Sequence, residues 1–323
     1  MTIGICFDLR SWYIERGYSQ EDTAEFDKEE TIEGIEKALS ELGFQTVRIG
    51  NVFQLVESLA KGERWDLVFN ISEGLYGPSR ESVVPALLDQ YRIPYVFSNA
   101  EVLGISLNKQ MAKQVVASSG VPVAAGWIIH HTDELKNVPS EFPLFVKPLY
   151  EGTGKGITGK SMVLNFEELW EAVGYVHRNN RQPALVEEYL PGREFTVGVT
   201  GSGSSTRVVG AMEIFSRGSV YSLEVKENYE EMAHYEPLDD YMMNLCSLSA
   251  QKAWKALGGV DGGRINLRFS KQGKLCFIEA NPLAGLNPFH SDLPWLARMN
   301  QIGYTQLIGM IMEAALTRLN LKV

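Results

Sequence analysis

The run Arg264-Ile-Asn-Leu-Arg-Phe-Ser-Lys-Gln-Gly-Lys-Leu-Cys-Phe-Ile-Glu-Ala-Asn281 constrains this chain more than any other stretch. Two alternating segments flank Lys271-Gln-Gly-Lys274, the pattern of a β-hairpin whose glycine supplies a positive φ. Side chains alternate along a strand, so Ile265, Leu267 and Phe269 share one face and Arg264, Asn266 and Arg268 the other. With Gln272 and Gly273 at the turn, Asn266 stands opposite Glu279 and Arg264 opposite Asn281, at Cβ separations of about 4.5–5.5 Å. A carboxylate and two amide oxygens on one face make a hard, oxygen-rich set suited to Mg2+, which takes few protein ligands and completes its shell with phosphate and water. The same spacing also fits an ordinary hairpin with a solvated polar face, and a one-residue slip in register would undo the pairing.

A second element is Lys147-Pro-Leu-Tyr-Glu-Gly-Thr-Gly-Lys-Gly-Ile-Thr-Gly159, a lysine closing a strand followed by a loop with four glycines. Glycine lets backbone N–H groups approach phosphate oxygens closely, and the lysines add charge. Within it, residues Gly154 to Ser161 fit the pattern GxxxxGK[ST] letter for letter. That motif joins a strand directly to a helix, whereas Ser161-Met-Val-Leu-Asn-Phe166 reads as a second strand with a helix capped near Asn165. A hairpin whose glycine loop covers a triphosphate fits better; a mobile surface loop is the plain alternative. The third element, Leu185-Val-Glu-Glu-Tyr-Leu-Pro-Gly-Arg-Glu194, is an apolar strand ending in a polar crossing. Glu187 to Leu190 could present backbone groups to a flat base, and Glu194 could accept from ribose hydroxyls. Acidic residues at a strand end also occur simply solvated.

Around these elements the first third alternates strand and helix signals: Ile3–Phe7, a helix over Glu29–Leu42 stopped by Gly43, Phe44–Ile49, Asp66–Phe69, a helix near Ser82–Tyr91, and Tyr95–Phe97. Such alternation predicts a parallel sheet covered by helices. A helix is expected over Leu107–Ser119, strands at Phe142–Val146 and Met162–Leu164, a helix over Glu167–Arg178, and a strand at Ala184–Glu188. Beyond that, strands at Phe195–Thr200, Val208–Ile214, Arg264–Phe269 and Leu275–Glu279, with helices at Leu245–Leu257 and Tyr304–Leu316, predict an α+β part. Boundaries fall near 97 and 187.

Lys+Arg 30 against Asp+Glu 40 leaves a net charge of −10, a poor footprint for a nucleic-acid or anionic-membrane binder. Cys6, Cys246 and Cys276 are scattered without CxxC spacing, which argues for a reducing compartment and against a disulfide framework or structural zinc. No apolar run approaches the ~20 residues needed to span a bilayer, so a cytoplasmic protein with no membrane partner is expected. The histidines and cysteines form no nucleophile–base arrangement.

The three elements, in this order, resemble those of the ATP-grasp ligases and, within them, the D-alanine–D-alanine ligase family, from about Asn108 to the C-terminus. The resemblance implies an ATP-grasp fold, α/β and α+β, preceded by a parallel α/β domain. Residues 1–97 would form a substrate-binding domain, 98–187 the central subdomain with the phosphate loop, and 188–323 the C-terminal subdomain with the metal and catalytic site. It also implies an ATP-dependent carboxylate–amine ligase that works through an acyl phosphate and releases ADP and phosphate. ATP and Mg2+ would be cofactors, one or two ions, with Mn2+ as an alternative; the partners would be small amino-acid or carboxylate substrates, and the protein a homodimer.

Residue by residue, Lys109 and Lys147 resemble the family's phosphate-binding lysines, and Glu151, Thr153 and Gly154 fall on its phosphate-covering loop. Glu187, Tyr189 and Leu190 fall on the adenine hinge and Glu194 on the ribose contact. Lys226 resembles the lysine of a closing loop, and Arg264 the arginine beside the transferring phosphoryl group. Asn266, Glu279 and Asn281 match the Mg2+ ligands. Gly285 and Ser291 fall where the family stabilises the tetrahedral intermediate and holds the second substrate's carboxylate.

The chain departs from the family pattern at four places. Asn266 stands where the family usually has Asp, which removes a negative charge from the metal set. Asp8-Leu-Arg-Ser-Trp12 replaces a glycine-rich turn, Phe69-Asn-Ile-Ser-Glu-Gly74 followed by Arg80-Glu-Ser82 replaces a His-Gly stretch, and Glu227 replaces an aromatic residue. The last three fall where the first D-alanine would bind. A ligase with a different carboxylate substrate is therefore expected, with Asp8, Glu73, Arg80, Glu227 and His290 as candidate contacts. A D-alanyl-D-alanine-forming enzyme and a nucleotide-binding protein without turnover are the alternatives.

Overall fold

The protein is described here by a computed structural model covering residues 1–139, 141–216 and 233–322. Strands β1 (Thr2–Cys6), β2 (Gln45–Gly50), β3 (Leu67–Asn70) and β4 (Tyr95–Val96) form a parallel sheet in the order β2-β1-β3-β4. β1 and β3 are almost continuously apolar because helices cover both faces of the sheet. Ile3, Ile5 and Phe69 pack on the helix Glu29–Glu41, while Cys6 and Val68 pack on Val52–Ala60 and Val83–Tyr91. The last helix, Tyr304–Leu319, returns to this sheet: Leu307, Ile308, Ile311 and Met312 complete the core begun by Ile3 and Ile5.

Strands β5 (Gly126–Ile129), β6 (Leu144–Pro148), β7 (Met162–Val163) and β8 (Ala184–Glu188) form an antiparallel sheet in the order β5-β8-β6-β7. The helix Phe166–Asn179 covers it, opened by Asn165, whose side chain accepts from the Glu168 N–H at 3.0 Å. The segment after Lys160 is therefore a strand, and Lys160 is exposed, as the strand reading requires.

Strands β9 (Glu194–Thr200), β10 (Arg207–Ser216), β11 (Ala233–Pro237), β12 (Gly262–Phe269) and β13 (Leu275–Asn281) form an antiparallel sheet in the order β11-β10-β9-β12-β13. Helices Lys109–Ser118 and Asp240–Leu257 bury one face, with Val116, Cys246 and Trp254 against Ile265, Leu267 and Phe277. The other face of β12 and β13 looks across a cleft at β6 and β8. The helix expected over Leu107–Ser119 breaks at Asn108, which leaves helical geometry and caps Lys109–Ser118 by accepting from the Met111 N–H at 3.0 Å. Lys109 is thereby fixed as the first residue of a helix that points into the cleft. Helices Val52–Ala60 and Asp292–Met299 and strand β11 are further elements that the periodicity did not announce.

Candidate functional site

The β12–β13 hairpin brings Arg264 opposite Asn281 and Asn266 opposite Glu279, but by a different route from two-residue-turn geometry. The turn holds three residues, with Ser270 pairing Lys274 and Gly273 at φ 74°. A compensating shift between Asn266 and Leu267 makes Leu267 face Phe277, leaving Ile278 as the extra residue of a β-bulge. Two departures of one residue cancel, and the polar face is assembled as the spacing anticipated.

On that face the groups are tightly interlocked. The Arg264 guanidinium donates to Asn266 Oδ1 at 2.6 Å and Thr196 Oγ1 at 3.2 Å and lies 3.4 Å from Asp292. Asn266 Nδ2 donates to Glu279 Oε1 at 3.2 Å, and Lys109 Nζ donates to Glu279 Oε2 at 2.8 Å. Asn281 Nδ2 is buried and, among the described residues, has no hydrogen-bond partner. Asn266, Glu279 and Asn281 thus offer one carboxylate and two amides, a hard donor set with a single negative charge. Across the cleft Lys147 Nζ, closing β6, sits 2.6 Å from Glu187 Oε1, and Lys113 pairs with the other oxygen of Glu187. Burial and the neighbouring Lys109 charge push the Lys147 ammonium down, and burial does the same to Lys113.

Tyr189 stacks on Phe145 with ring centroids 6.4 Å apart, Arg268 lies over the Tyr189 ring, and Leu190 is buried beside them. Glu194 accepts from Arg268 at 3.1 Å. All of these line the cleft together with Gly154. In the glycine loop Thr153 and Gly154 both adopt positive φ, 53° and 74°. Glu151 accepts from Gln182 Nε2 at 2.7 Å.

The cleft runs into a second, larger cavity of about 740 Å³; Lys109, Glu151, Arg264 and Asp292 line both. Gly285, Ser291, His290, Thr153 and Glu73 also line this cavity. Gly285 is needed where it is, since a Cβ there would lie 2.7 Å from Ser291 Oγ. Asp8 lines neither space. It is buried, with one oxygen accepting from Tyr13 Oη at 2.5 Å and the other from the Gly74 N–H at 2.9 Å. Arg80 is likewise buried behind the wall, donating to Tyr150 O at 2.8 Å and Glu25 Oε2 at 2.7 Å. Lys226 and Glu227 lie outside the described residues.

Sequence reasoning missed Lys113, Glu25, Asp27, Glu81 and Asp292. Lys113 could have been found, since it follows Lys109 by one helical turn on the same face. Glu25 and Asp27 had no signal, because they lie in the irregular stretch before the helix Glu29–Glu41. Cys6, Cys246 and Cys276 are all buried and free. Among the described residues no helix is long and apolar enough to cross a membrane.

The family described as D-ala D-ala ligase C-terminus matches residues 116–313. Among curated relatives, a D-alanine–D-alanine ligase of Aquifex aeolicus is 32% identical over 286 residues, covering 87% of this chain and 93% of its own. Another from Bordetella petrii is 29% identical over 266 residues, 81% of this chain and 79% of its own. Among solved structures, the VanG D-Ala:D-Ser ligase from Enterococcus faecalis superposes with a TM-score of 0.76 at 17% identity, over 97% of this chain and 99% of that one. A D-alanine–D-alanine ligase from Bacillus anthracis complexed with ATP gives 0.74 at 22% identity, over 98% of each.

Proposed function

The chain belongs to the D-alanine–D-alanine ligase family, and from that membership we propose how its own residues carry out the reaction and on what kind of substrate. It is an ATP-dependent, ADP-forming carbon–nitrogen ligase with the ATP-grasp fold. In our reading, a substrate carboxylate takes the γ-phosphoryl of ATP to become an acyl phosphate, with ADP leaving. An amine then attacks the acyl carbon, and phosphate leaves as the C–N bond forms. No covalent nucleophile is needed, only neutralisation of crowded oxygens and in-line positioning.

Lys147 and Lys109 would receive phosphate oxygens, exchanging Glu187 and Glu279 for them, while Lys113 keeps Glu187 balanced. Glu151, Thr153 and Gly154 would close over the phosphates; Glu187, Tyr189 and Leu190 would hold the base and Glu194 the ribose. Arg264 would face the transferring phosphoryl group, joined by Lys226 on its motif alone. Gly285 and Ser291 would serve the second substrate and the oxyanion. Asn266, Glu279 and Asn281 would hold Mg2+, or Mn2+, which when bound screens the phosphate charge. The carboxylate of Glu279 and the side-chain oxygens of Asn266 and Asn281 are the hard donors such an ion takes, and the single charge of the set makes it a weak site. Glu73 and His290 are read as substrate contacts in the larger cavity, and Asp8 and Arg80 as positioning residues behind its wall. Glu227 is assigned by its place in the sequence alone.

The observation that carries this reading is the convergence of Lys109, Lys147, Arg264, Asn266 and Glu279, from distant segments, on one cleft that opens into a cavity of about 740 Å³. Three departures on the first-substrate side support a carboxylate other than D-alanine. The domain division at 97 and 187 follows the same reading, as do a cytoplasmic location, supported by three free buried cysteines, and a homodimer. The net charge of −10 supports small molecules rather than nucleic acid as partners.

The test is coupled ADP release with Mg-ATP over D- and L-amino acids, singly and in pairs. Release that depends on a second amino acid is the expected result. Release requiring two D-alanines would sink the altered-substrate reading and leave the ligase standing. Bound ATP with no release from any pair would favour a nucleotide-binding protein without turnover, the reading Asn266 suggests.

A further inference from the structure

Glu73 and Glu81 both line the large cavity, and among the described residues neither carboxylate has a hydrogen bond or an ion pair. Glu81 is only 9% exposed, on the short turn Arg80–Ser82. Burial and the Glu81 charge hold Glu73 well above the usual carboxylate range, and burial pushes Glu81 up to about 7 against the opposing charge of Arg80. Asp27, also on the wall, is raised to about 7 by burial despite the Thr31 hydroxyl.

Arg80 and Lys109 act on these acids at a distance but make their hydrogen bonds elsewhere, and Lys28 on the same wall is exposed. Arg80 gives its donors to Glu25 at 2.7 Å and the Tyr150 carbonyl at 2.8 Å, and Lys109 is 2.8 Å from Glu279. Two carboxylates crowded on the wall of a cavity, one of them buried, favour holding a proton or a cation, and a cation arriving from the open cavity satisfies both at once. The free acids exceed what one α-ammonium would balance. The cavity of about 740 Å³ also falls in the range of roughly 300–1,000 Å³ that holds drug-sized ligands, well beyond an alanine.

We propose that Glu73 and Glu81, with Asp27, form a subsite for a cationic side-chain group of the first substrate, an ammonium or guanidinium, so that the carboxylate donor is a basic amino acid. This rests on the ligase reading above for its place in the reaction, while the binding itself does not need turnover.

The experiment is isothermal titration of the full chain, preloaded with ADP and Mg2+, with D- and L-lysine and D- and L-ornithine against D- and L-norleucine. At least one basic amino acid should bind tenfold or more tightly than norleucine of the same hand. Glu81→Gln should weaken that amino acid at least tenfold and leave norleucine unchanged. The substitution removes a buried like-charge repulsion, so the variant is expected to fold; Glu73→Gln provides a second, independent reading of the same loss. Norleucine binding as well as the basic amino acids, no binding of any of them, or unchanged binding in both variants would overturn the subsite. Basic-selective binding without ADP release from any pair would instead overturn the ligase reading and leave the subsite in place.

Discussion

Lys147 and Lys160 lie at the two ends of one glycine-rich stretch, and only one of them faces the cleft. Lys147 is buried beside Glu187, whereas Lys160 is exposed on a turn ahead of β7. Lys147→Ala should therefore weaken ATP binding at least tenfold, while Lys160→Ala leaves it unchanged; calorimetric titration with ATP distinguishes them. Tight binding by the first and loss by the second would revive the GxxxxGK[ST] reading. At position 266 an amide accepts from Arg264 and donates to Glu279, so it spends both ends on protein partners. Asn266→Asp restores a charge to the oxygen set and should lower the Mg2+ concentration for half-maximal ADP release at least tenfold, measured at fixed ATP. An unchanged Mg2+ requirement would mean that residue 266 is not a ligand. These identities were legible from local sequence because strand alternation assigns a face to each residue. The hydrogen bonds that occupy them were not, since they depend on Thr196 and Lys109 arriving from elsewhere in the chain.

The β12–β13 hairpin shows what pattern reading can and cannot do for an element. Uniform alternation would put Leu275 and Phe277 on the same face as Glu279 and Asn281, mixing core and cleft residues. The bulge at Ile278 resolves the conflict: Phe277 meets Leu267 in the core and Glu279 meets Asn266 in the cleft. That parity clash was a readable signal for an extra residue. The three-residue turn depends on Gly273 at φ 74°, with open space around it. Gly273→Ala should cost about 1 kcal/mol in denaturant unfolding, because a Cβ disfavours the left-handed region. The kcat should stay unchanged, since register at the site end is set by the bulge; a large drop would show that the turn governs the site. The helix Val52–Ala60 was missed although Asn51 and Gln54 form a capping box, its ends being marked while its apolar stripe is short.

For the molecule as a whole, the last helix ties the final strands to the first sheet. Arg318 donates to both carboxylate oxygens of Asp261, at 2.9 and 2.6 Å, and to the Tyr95 carbonyl at 2.9 Å. Asp261 is fully buried and also accepts from the Phe97 N–H at 2.8 Å. Arg318→Ala strands that carboxylate and should destabilise the protein by roughly 3–5 kcal/mol in denaturant unfolding. Adding Asp261→Asn, which removes the charge at a position of φ 66° that Asn tolerates, should recover part of the loss. No recovery would place the effect in lost packing instead. The cavity acids give the molecule a pH signature. Glu81 is raised from the carboxylate range to about 7, so the stability it contributes is complete below about pH 4 and is lost as pH rises through about 7. Glu81→Gln should accordingly melt at least about 2 °C above the parent at pH 8, with the difference vanishing near pH 4. A variant that melts lower at pH 8 would mean that Glu81 is held ionised by a favourable partner.

The sequence by itself determined the parallel opening sheet, the capped helix after the glycine loop, the polar face of the hairpin and the family, because each rests on short-range periodicity, turn chemistry or a compact motif. Tertiary structure alone decided what those pieces enclose. Lys113 and Lys147 share Glu187 because a helix and a sheet meet at the cleft, and Arg80 is withdrawn into the wall by Glu25. Glu73, Glu81 and Asp27 come together in one cavity from separate segments, the first two without a hydrogen bond or ion pair among the described residues. Burial and the absence of a partner are properties of a whole packed molecule, and no local run of residues encodes them.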